Sequence, residues 1–321
     1  MSLHIVIGAG PVGTATALRL ATGGHQVRLL TRHGSGPEHP GIELIAADAT
    51  DATALAAHCA GASAIYQCAQ PAYHRWPQEF PALHRAVLTA AEHSGAVLVT
   101  VGNLYGYGEF DGPVTEDHPL RPNSVKGRVR ADMWAEQLTA HRAGRIRTAE
   151  VRGSDYLGPH AVSAATTLLL PAILSGRRAL VPADLAAPHT WTATVDVARL
   201  LIAVATDEAA WGRAWHVPSA PPVSVRALAE LLASVADAAP AKVTRMPAAL
   251  LWSAGLFVPA AREMRELRYQ FDRPFSMDSS SATRHFGLDA TPLEESLRRT
   301  VEAFRGDAAR GETAQRGVEH R

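Results

Sequence analysis

The sequence predicts an α/β fold: a parallel sheet wound on both faces by helices, with a smaller lobe interleaved toward the C-terminus. Three observations carry that prediction. The apolar run Leu3 to Ile7 passes straight into a glycine-spaced turn and then a helical run that opens at Pro11. Similar short apolar runs recur through the first half of the chain, most of them separated by helical patterns, which is the βαβ rhythm of a parallel sheet. The chain has 321 residues, 47% hydrophobic and 19% charged, ample for one large core or two joined ones.

The elements follow in order. Leu3 to Ile7 reads as a strand buried on both faces. Pro11 to Ala21 reads as its helix, with proline tolerated in the first turn and Val12, Ala15, Leu18 and Leu20 as an apolar face ending at Gly23-Gly24. Gln26 to Thr31 completes a βαβ unit. Ile42 to Ala46 is a third strand, and Asp51 can cap the helix after it. Ser63 to Cys68 is the fourth, and Tyr73 to Trp76 lead into a long helix ending near Ser94-Gly95. Ala96 to Val101 is the fifth, a helix spans about Ser124 to His141, and Arg145 to Arg152 contains the sixth. Right-handed crossovers put all these strand ends on one rim.

Beyond Gly158-Pro159 the rhythm changes. Helical runs are expected at Ala164 to Leu174, Asp196 to Thr206 and Ser224 to Val235, with Ser224 as a cap. Short strands are expected near Ala179 to Val181, Trp215 to Pro218 and Lys242 to Met246. Thr291-Pro-Leu-Glu-Glu opens a final helix. The expected division is 1–156 for the sheet domain, 157–305 for the second lobe with some segments returning to the sheet, and 306–321 as a polar, frayed tail.

The turn Gly8-Ala-Gly-Pro-Val-Gly13 between strand and helix is the spacing used against a pyrophosphate, which makes the sheet Rossmann-type. Gly8 permits the tight turn, Gly10 lets backbone approach phosphate, and Gly13 lets helix pack on strand. Around Pro11 and Val12 the helix N-terminus offers unpaired N–H groups to the anion. At the end of the second strand stand Thr31, Arg32 and His33, with no acid until Glu38. Arginine accommodates a 2′-phosphate where an acid would hold the ribose hydroxyl, so NADP is expected ahead of NAD.

Composition excludes other classes. The formal net charge is zero and the pI near 7.3, which suits neither a nucleic-acid partner nor an acidic membrane. Cys59 and Cys68 form no disulfide framework or metal-ligand spacing, so no metal is expected. No charged leader opens the chain, and the apolar stretch from 248 to 261 is too short and interrupted to span a bilayer. The expectation is a soluble, cytoplasmic protein with a small-molecule substrate. No Gly-x-Ser-x-Gly elbow supports a hydrolase.

Further landmarks line up behind the glycine turn. They are Asp48 after strand three, the small-residue end Cys68-Ala69-Gln70-Pro71, Tyr107-Gly108 after strand five, Pro113-Val-Thr-Glu-Asp117, Arg152 with Gly158-Pro159, and His189 to Val197 before a helix. From about residue 3 to 304 this run resembles the extended short-chain dehydrogenase/reductases, the NAD(P)-dependent epimerases and dehydratases, nearest their atypical GxGxxG branch. The resemblance implies that Asp48 contacts adenine, that Cys68 and Ala69 line the nicotinamide side, and that the second lobe binds substrate. Related folds often form homodimers through the helices after strands four and five; the sequence leaves the oligomeric state open.

The family's acid/base pair is Tyr-x-x-x-Lys, with a Ser or Thr on strand five. Here Asn103, Lys126 and Arg130 fall at those positions. Arginine can hydrogen-bond a ribose but does not titrate near neutrality. Two readings follow. In the first, an enzyme uses a different acid/base: Lys126, its pKa depressed beside Arg130 and a nicotinamide cation, or a phenol among Tyr107, Tyr105 and Tyr73, with Asn103 polarising a substrate oxygen. In the second, the protein binds NADP(H) without turnover, as a sensor or scaffold. A polar, aromatic-lined cavity favours the enzyme, and Tyr73, Trp76, Asp155, His160, His189 and Trp191 are the residues expected to line one. Each has a bland counterpart: Lys126 facing solvent or phosphate, the loop tyrosines and Trp191 as packing, His160 as a helix cap.

Overall fold

The computed structural model describes residues 2–247, 252 and 265–319, with the side chains of 310–319 excepted. The expected apolar stretch at 248–261 lies outside the described residues apart from Trp252. Seven parallel strands form the central sheet. In chain order they are β1 (Leu3–Ile7), β2 (Gln26–Thr31), β3 (Ile42–Ala46), β4 (Ala64–Gln67), β5 (Val97–Asn103), β6 (Arg147–Gly153) and, arriving from the second half, a strand at Ala214–His216. Their spatial order is β3-β2-β1-β4-β5-β6 followed by Ala214–His216. The chain reverses its direction of travel across the sheet between β1 and β4, which is where an open α/β sheet has its ligand crevice.

Alternation along the strands builds two cores. Val6, Leu29, Tyr66, Val99 and Val151 face one side, and Ile5, Ile7, Leu30, Ile65 and Leu98 the other. The first side is covered by α1 (Pro11–Thr22), joined later by a helix at Thr194–Ala205 through Val197, Leu201 and Val204. The other is covered by α2 (Ala52–Cys59), α3 (Trp76–Ser94) and the end of α4 (Val125–Arg142). The expected caps are in place: Asp51 accepts from the N–H groups of Thr53 and Ala54, and Ser224 accepts from that of Ala227; Ser124 caps α4 as well, accepting from Gly127.

The buried face of α1 differs from the expected one. Val12, Gly13, Thr16, Ala17, Leu20 and Ala21 are buried, while Ala15 and Leu18 are only half-buried. Thr16 can join the buried side because its hydroxyl donates to Val12 O at 2.8 Å, which satisfies it locally.

A third core gathers Leu157, Leu169, Leu170, Ile173, Trp191, Leu228, Leu232, Leu297 and Val301. Its elements are β7 (Asp155–Leu157), α5 (Leu170–Leu174), β8 (Arg178–Val181), β9 (Pro188–His189), β10 (Trp191–Ala193), and then α6 (Thr194–Ala205) and β11 (Ala214–His216), which return to the sheet. β12 (Val223–Ser224), α7 (Val225–Val235), β13 (Lys242–Arg245), α8 (Ser280–Phe286) and α9 (Leu293–Glu319) follow. The run expected as one helix from Ala164 is a π-helix over Ala165–Leu169 before α5. Pro171 has no N–H to give to the regular ladder there. The last helix runs on to Glu319, through the polar stretch expected to fray from 306.

Candidate functional site at the rim of the sheet

The glycine turn fits an anion without rearrangement. Gly8 has φ +97°, and a Cβ there would stand 2.7 Å from the backbone of Ala69. A Cβ on Gly13 would stand 1.9 Å from Gly8 O and 3.2 Å from the Cβ of Cys68. The turn is thereby pressed onto the end of β4, which is why small residues stand at Cys68 and Ala69. Gly10 is different: a Cβ there would meet nothing within 4 Å. Gly10 is the N-cap of α1, no side chain caps that end, and Pro11 opens the helix. The first-turn N–H groups, those of Val12 and Gly13 among them, thus lack a side-chain partner beside open space, which is the geometry of a phosphate cradle.

At the end of β2 the Thr31 hydroxyl accepts from Ser35 N at 2.8 Å and donates to Ser35 O at 3.1 Å, shaping the turn that presents Arg32. Arg32 is exposed, and so is Asp48 nearby. Hydrogen bonds from the Thr50 N–H and hydroxyl hold the Asp48 carboxyl below its ordinary range, with a smaller contribution from Arg32.

Farther along the rim lie the expected positions Asn103 and Lys126, beside Tyr73 and Tyr105. Asn103 ends β5 and its Oδ1 accepts from Tyr105 N at 3.1 Å. The Tyr73 hydroxyl donates to the Tyr105 hydroxyl at 3.1 Å, and Tyr73 sits edge-on to Trp76. In the first turn of α4, the Lys126 side chain is 2% exposed. Its Nζ lies 4.6 Å from the centre of the Tyr73 ring and donates to Glu266 Oε2 at 3.0 Å, while its backbone N–H donates to Glu266 Oε1 at 2.9 Å. Where cations alone were expected around this lysine, a carboxylate is present.

One turn on, Arg130 lies between the rings of Trp76 and Phe80, at 4.7 and 4.6 Å, and donates to Val101 O at 2.9 Å. Its Nε is buried without a hydrogen-bond partner among the described residues. A buried donor of this kind asks for a ligand acceptor. Together with the open space at Gly10 it makes these residues fit a dinucleotide.

Asp155 and His189 form a pair, His189 Nε2 to Asp155 Oδ2 at 2.8 Å. The histidine is 3% exposed and the aspartate 21%. The imidazole is stacked on Phe271 at 4.8 Å and 8°, with Phe275 and Trp191 also against it, and its Nδ1 faces Gln270 O at 3.3 Å. Trp191 backs the histidine, its Nε1 donating to Val223 O. Asp155 faces three phenols, Tyr73, Tyr105 and Tyr156. Burial raises the pKa of all three, and the Asp155 charge adds to each.

Two expected residues stand apart. The Tyr107 hydroxyl accepts from Arg152 Nη1 at 2.6 Å and lies 2.8 Å from His216 Nε2, in a buried network away from the phenol cluster. Burial pushes it up to about 12. His160 has φ +57°, is exposed, and pairs with Asp307 at 2.9 Å; its side chain caps no helix among the described residues.

Glu266 and Tyr156 were missed. Glu266 is 140 positions from its partner, beyond any local pattern. Tyr156, whose hydroxyl donates to Gly102 O at 3.2 Å, stood in plain view beside Asp155 in the stretch already singled out after strand six. Among the described residues, no cluster of His, Cys, Asp and Glu can hold a metal ion, and no helix is long and apolar enough to cross a membrane.

Comparison with known proteins agrees with this fold. The model of the NAD dependent epimerase/dehydratase family matches residues 4–217. The fold is similar to that of DesIV, the dTDP-glucose 4,6-dehydratase of Streptomyces venezuelae, solved with NAD and TYD bound (21% identity, TM-score 0.75, covering 96% of this chain and 98% of that one). It is also similar to MoeE5 in complex with UDP-glucuronic acid and NAD (20% identity, TM-score 0.77, 95% and 99% covered). A third is the UDP-glucose 4-epimerase of Thermotoga maritima, with UDP-glucose (16% identity, TM-score 0.76, 95% and 99% covered). No curated protein matches the sequence. The glycine turn, the sheet order and the family match together place the chain: it belongs to the NAD dependent epimerase/dehydratase family.

Proposed function

We propose that the chain is an NADP-preferring oxidoreductase, epimerase or dehydratase acting on a small polar or cyclic metabolite held between the sheet rim and the second lobe. The observation that carries this reading is the convergence of Tyr73, Tyr105, Lys126–Glu266 and Asp155–His189 on the rim that also carries the glycine cradle. Such a lining offers donors and acceptors to a hydroxyl-rich ring, and the names of the similar structures mention nucleotide sugars. Exposed Arg32, with no acid adjoining it in the sequence at the end of β2, supports the 2′-phosphate.

When bound, the cofactor supplies a hydride donor or acceptor; the protein's part is to hold it and to manage a proton. The N–H groups of the glycine turn would hold the pyrophosphate, Asp48 and Arg32 would take the adenosine end, and the orphan Nε of Arg130 would take an acceptor on the nicotinamide side. Two groups can manage the proton, the Lys126–Glu266 pair and the Asp155–His189 pair. One observation favours binding without turnover: the position of the family's lysine holds an arginine fixed between two rings and on a carbonyl. Fluorescence titration separates the claims. Tighter binding of NADPH than NADH, equalised by Arg32→Ala, is expected, and equal affinity in the unaltered protein refutes the preference. Absorbance at the nicotinamide band with NADP+ and a panel of sugars and nucleotide sugars tests turnover. Binding without any turnover across the panel selects the non-catalytic reading.

A further inference from the structure

The rim holds several groups capable of carrying a proton, and their surroundings sort them. Tyr73, Tyr105 and Tyr156 are half-buried and face the negative charge of Asp155, and desolvation and that charge both keep their protons on. Glu150 is occupied by Arg152 Nε at 2.6 Å. Arg130 does not titrate near neutrality. Lys126 has both its Nζ and its backbone N–H on the two oxygens of Glu266, behind the face of Tyr73. Asp155 and His189 remain.

The pair is built as a directed unit. His189 is the buried member, clamped by Phe271, Phe275 and Trp191 so that Nε2 points at the carboxylate. Asp155 is the more exposed member. It opens β7, two positions past the end of β6, and faces the phenols that ring the site. Between an imidazole and a carboxylate at 2.8 Å one proton is shared, and the pair as a whole changes from neutral to negative when that proton leaves.

We propose that Asp155 is the proton-accepting group of this site, with His189 as the positioning residue that receives the proton behind it, in place of the family's tyrosine. The inference rests on the reading that a nicotinamide cofactor binds this rim. The O–H bond of a substrate hydroxyl breaks toward a carboxylate oxygen of Asp155, and the pair retains the proton between Oδ2 and Nε2. The carbinol carbon would give its hydride to the oxidised cofactor, so that the alcohol becomes a carbonyl as the proton passes to the pair. The same electrostatics sets the resting state. A cationic oxidised ring nearby favours the negative form of the pair, and the neutral reduced ring does not.

That asymmetry gives a test that needs no substrate. Calorimetry of NADP+ binding in two buffers of different ionisation enthalpy counts the protons released, and the same titration with NADPH is the control. Proton release with NADP+ and little with NADPH is expected. The Kd for NADP+ should tighten about three- to tenfold from pH 5.5 to 8, the effect of a shift of half to one pKa unit. Asp155→Asn and His189→Gln should both flatten that profile, whereas Lys126→Met should leave it intact. Carbon-13 detection of the His189 ring in the free protein gives a second readout, whose shifts should change in Asp155→Asn, and urea unfolding confirms that both variants are folded. A proton linkage that survives both substitutions, or that disappears with Lys126→Met, overturns the proposal. Absence of binding by either cofactor instead refutes the cofactor reading on which it rests.

Discussion

Replacing Tyr107 by phenylalanine should cost stability and leave cofactor binding alone. Burial holds His216 down to about 3, so the imidazole is neutral at ordinary pH. Its Nδ1 lies 2.8 Å from Asp278 O, which can only accept, so Nδ1 carries the hydrogen and Nε2 is an acceptor. The Tyr107 hydroxyl therefore donates to Nε2 and accepts from Arg152 Nη1, and a run of hydrogen bonds passes from Arg152 through Tyr107 and His216 to Asp278 O. All three side chains are buried. Tyr107→Phe removes no ring packing but strands one guanidinium N–H and one imidazole nitrogen. Each stranded buried group costs about 1–3 kcal/mol, the charged donor toward the upper end, so a loss of about 3 kcal/mol is expected. Arg152 keeps Glu150, which limits the damage. Urea unfolding should show this as a lower midpoint at unchanged slope. The Kd for NADPH should stay within about twofold of the unaltered protein. A destabilisation below about 1 kcal/mol would show that the network is not worth what its geometry implies. Lost cofactor binding at full stability would return Tyr107 to the site.

Three other expectations follow from the same structure. Gly10→Ala should leave the unfolding midpoint nearly unchanged and weaken NADPH binding, because its methyl meets only open space. Gly13→Ala should lower the midpoint as well, since its methyl would collide with Gly8 O; equal stability in both variants would contradict the packing. Acid should unfold the protein through its buried histidines. His4 and His84 are lowered to about 4 and His216 to about 3, mainly by burial, against an unfolded value of 6.5. The unfolded chain therefore takes up protons first. Stability is complete above pH 6.5 and falls toward pH 4, by about 3–4 kcal/mol per pH unit near pH 5 if all three contribute fully. A urea midpoint that is flat from pH 7 to 5 would refute those shifts. Asp196→Ala should cost about 2–4 kcal/mol, because this buried carboxylate accepts from Thr291 N at 2.7 Å, the Thr291 hydroxyl at 2.8 Å and Arg199 at 2.9 Å. Thermal unfolding measures it, and a change within error would show that the loop before α9 is held by other contacts.

What could be read from the sequence divides along a physical line. Strands buried on both faces announce themselves as continuous apolar runs, and caps such as Asp51, Ser124 and Ser224 act within three residues of themselves. The glycine turn is equally local, so the sheet, its helices and the cradle were all legible. Side-chain direction in tight turns was not. Tyr105 and Tyr107 share one short 3-10 turn, where residues two apart project to different sides, so one phenol meets Tyr73 and the other meets Arg152. Nothing in the order of the letters favoured Tyr105.

The rim's chemistry was the least legible because each of its charge pairs spans the two halves of the chain. Lys126 stands at the start of α4 and its partner Glu266 comes from the segment before residue 267; Asp155 opens β7 and His189 ends β9. Single members of both pairs could be singled out from where they fall on predicted elements. What each can do depends on its partner: Glu266 gives Lys126 an anion in place of the expected cationic surroundings, and His189 makes Asp155 half of a proton-sharing unit. A family mechanism centred on Tyr-x-x-x-Lys sits on one helix and can be recognised from one motif. On the proposal made above, the acid/base function moves from that helix to a pair closed by the second lobe, and losing the motif does not by itself imply losing the reaction.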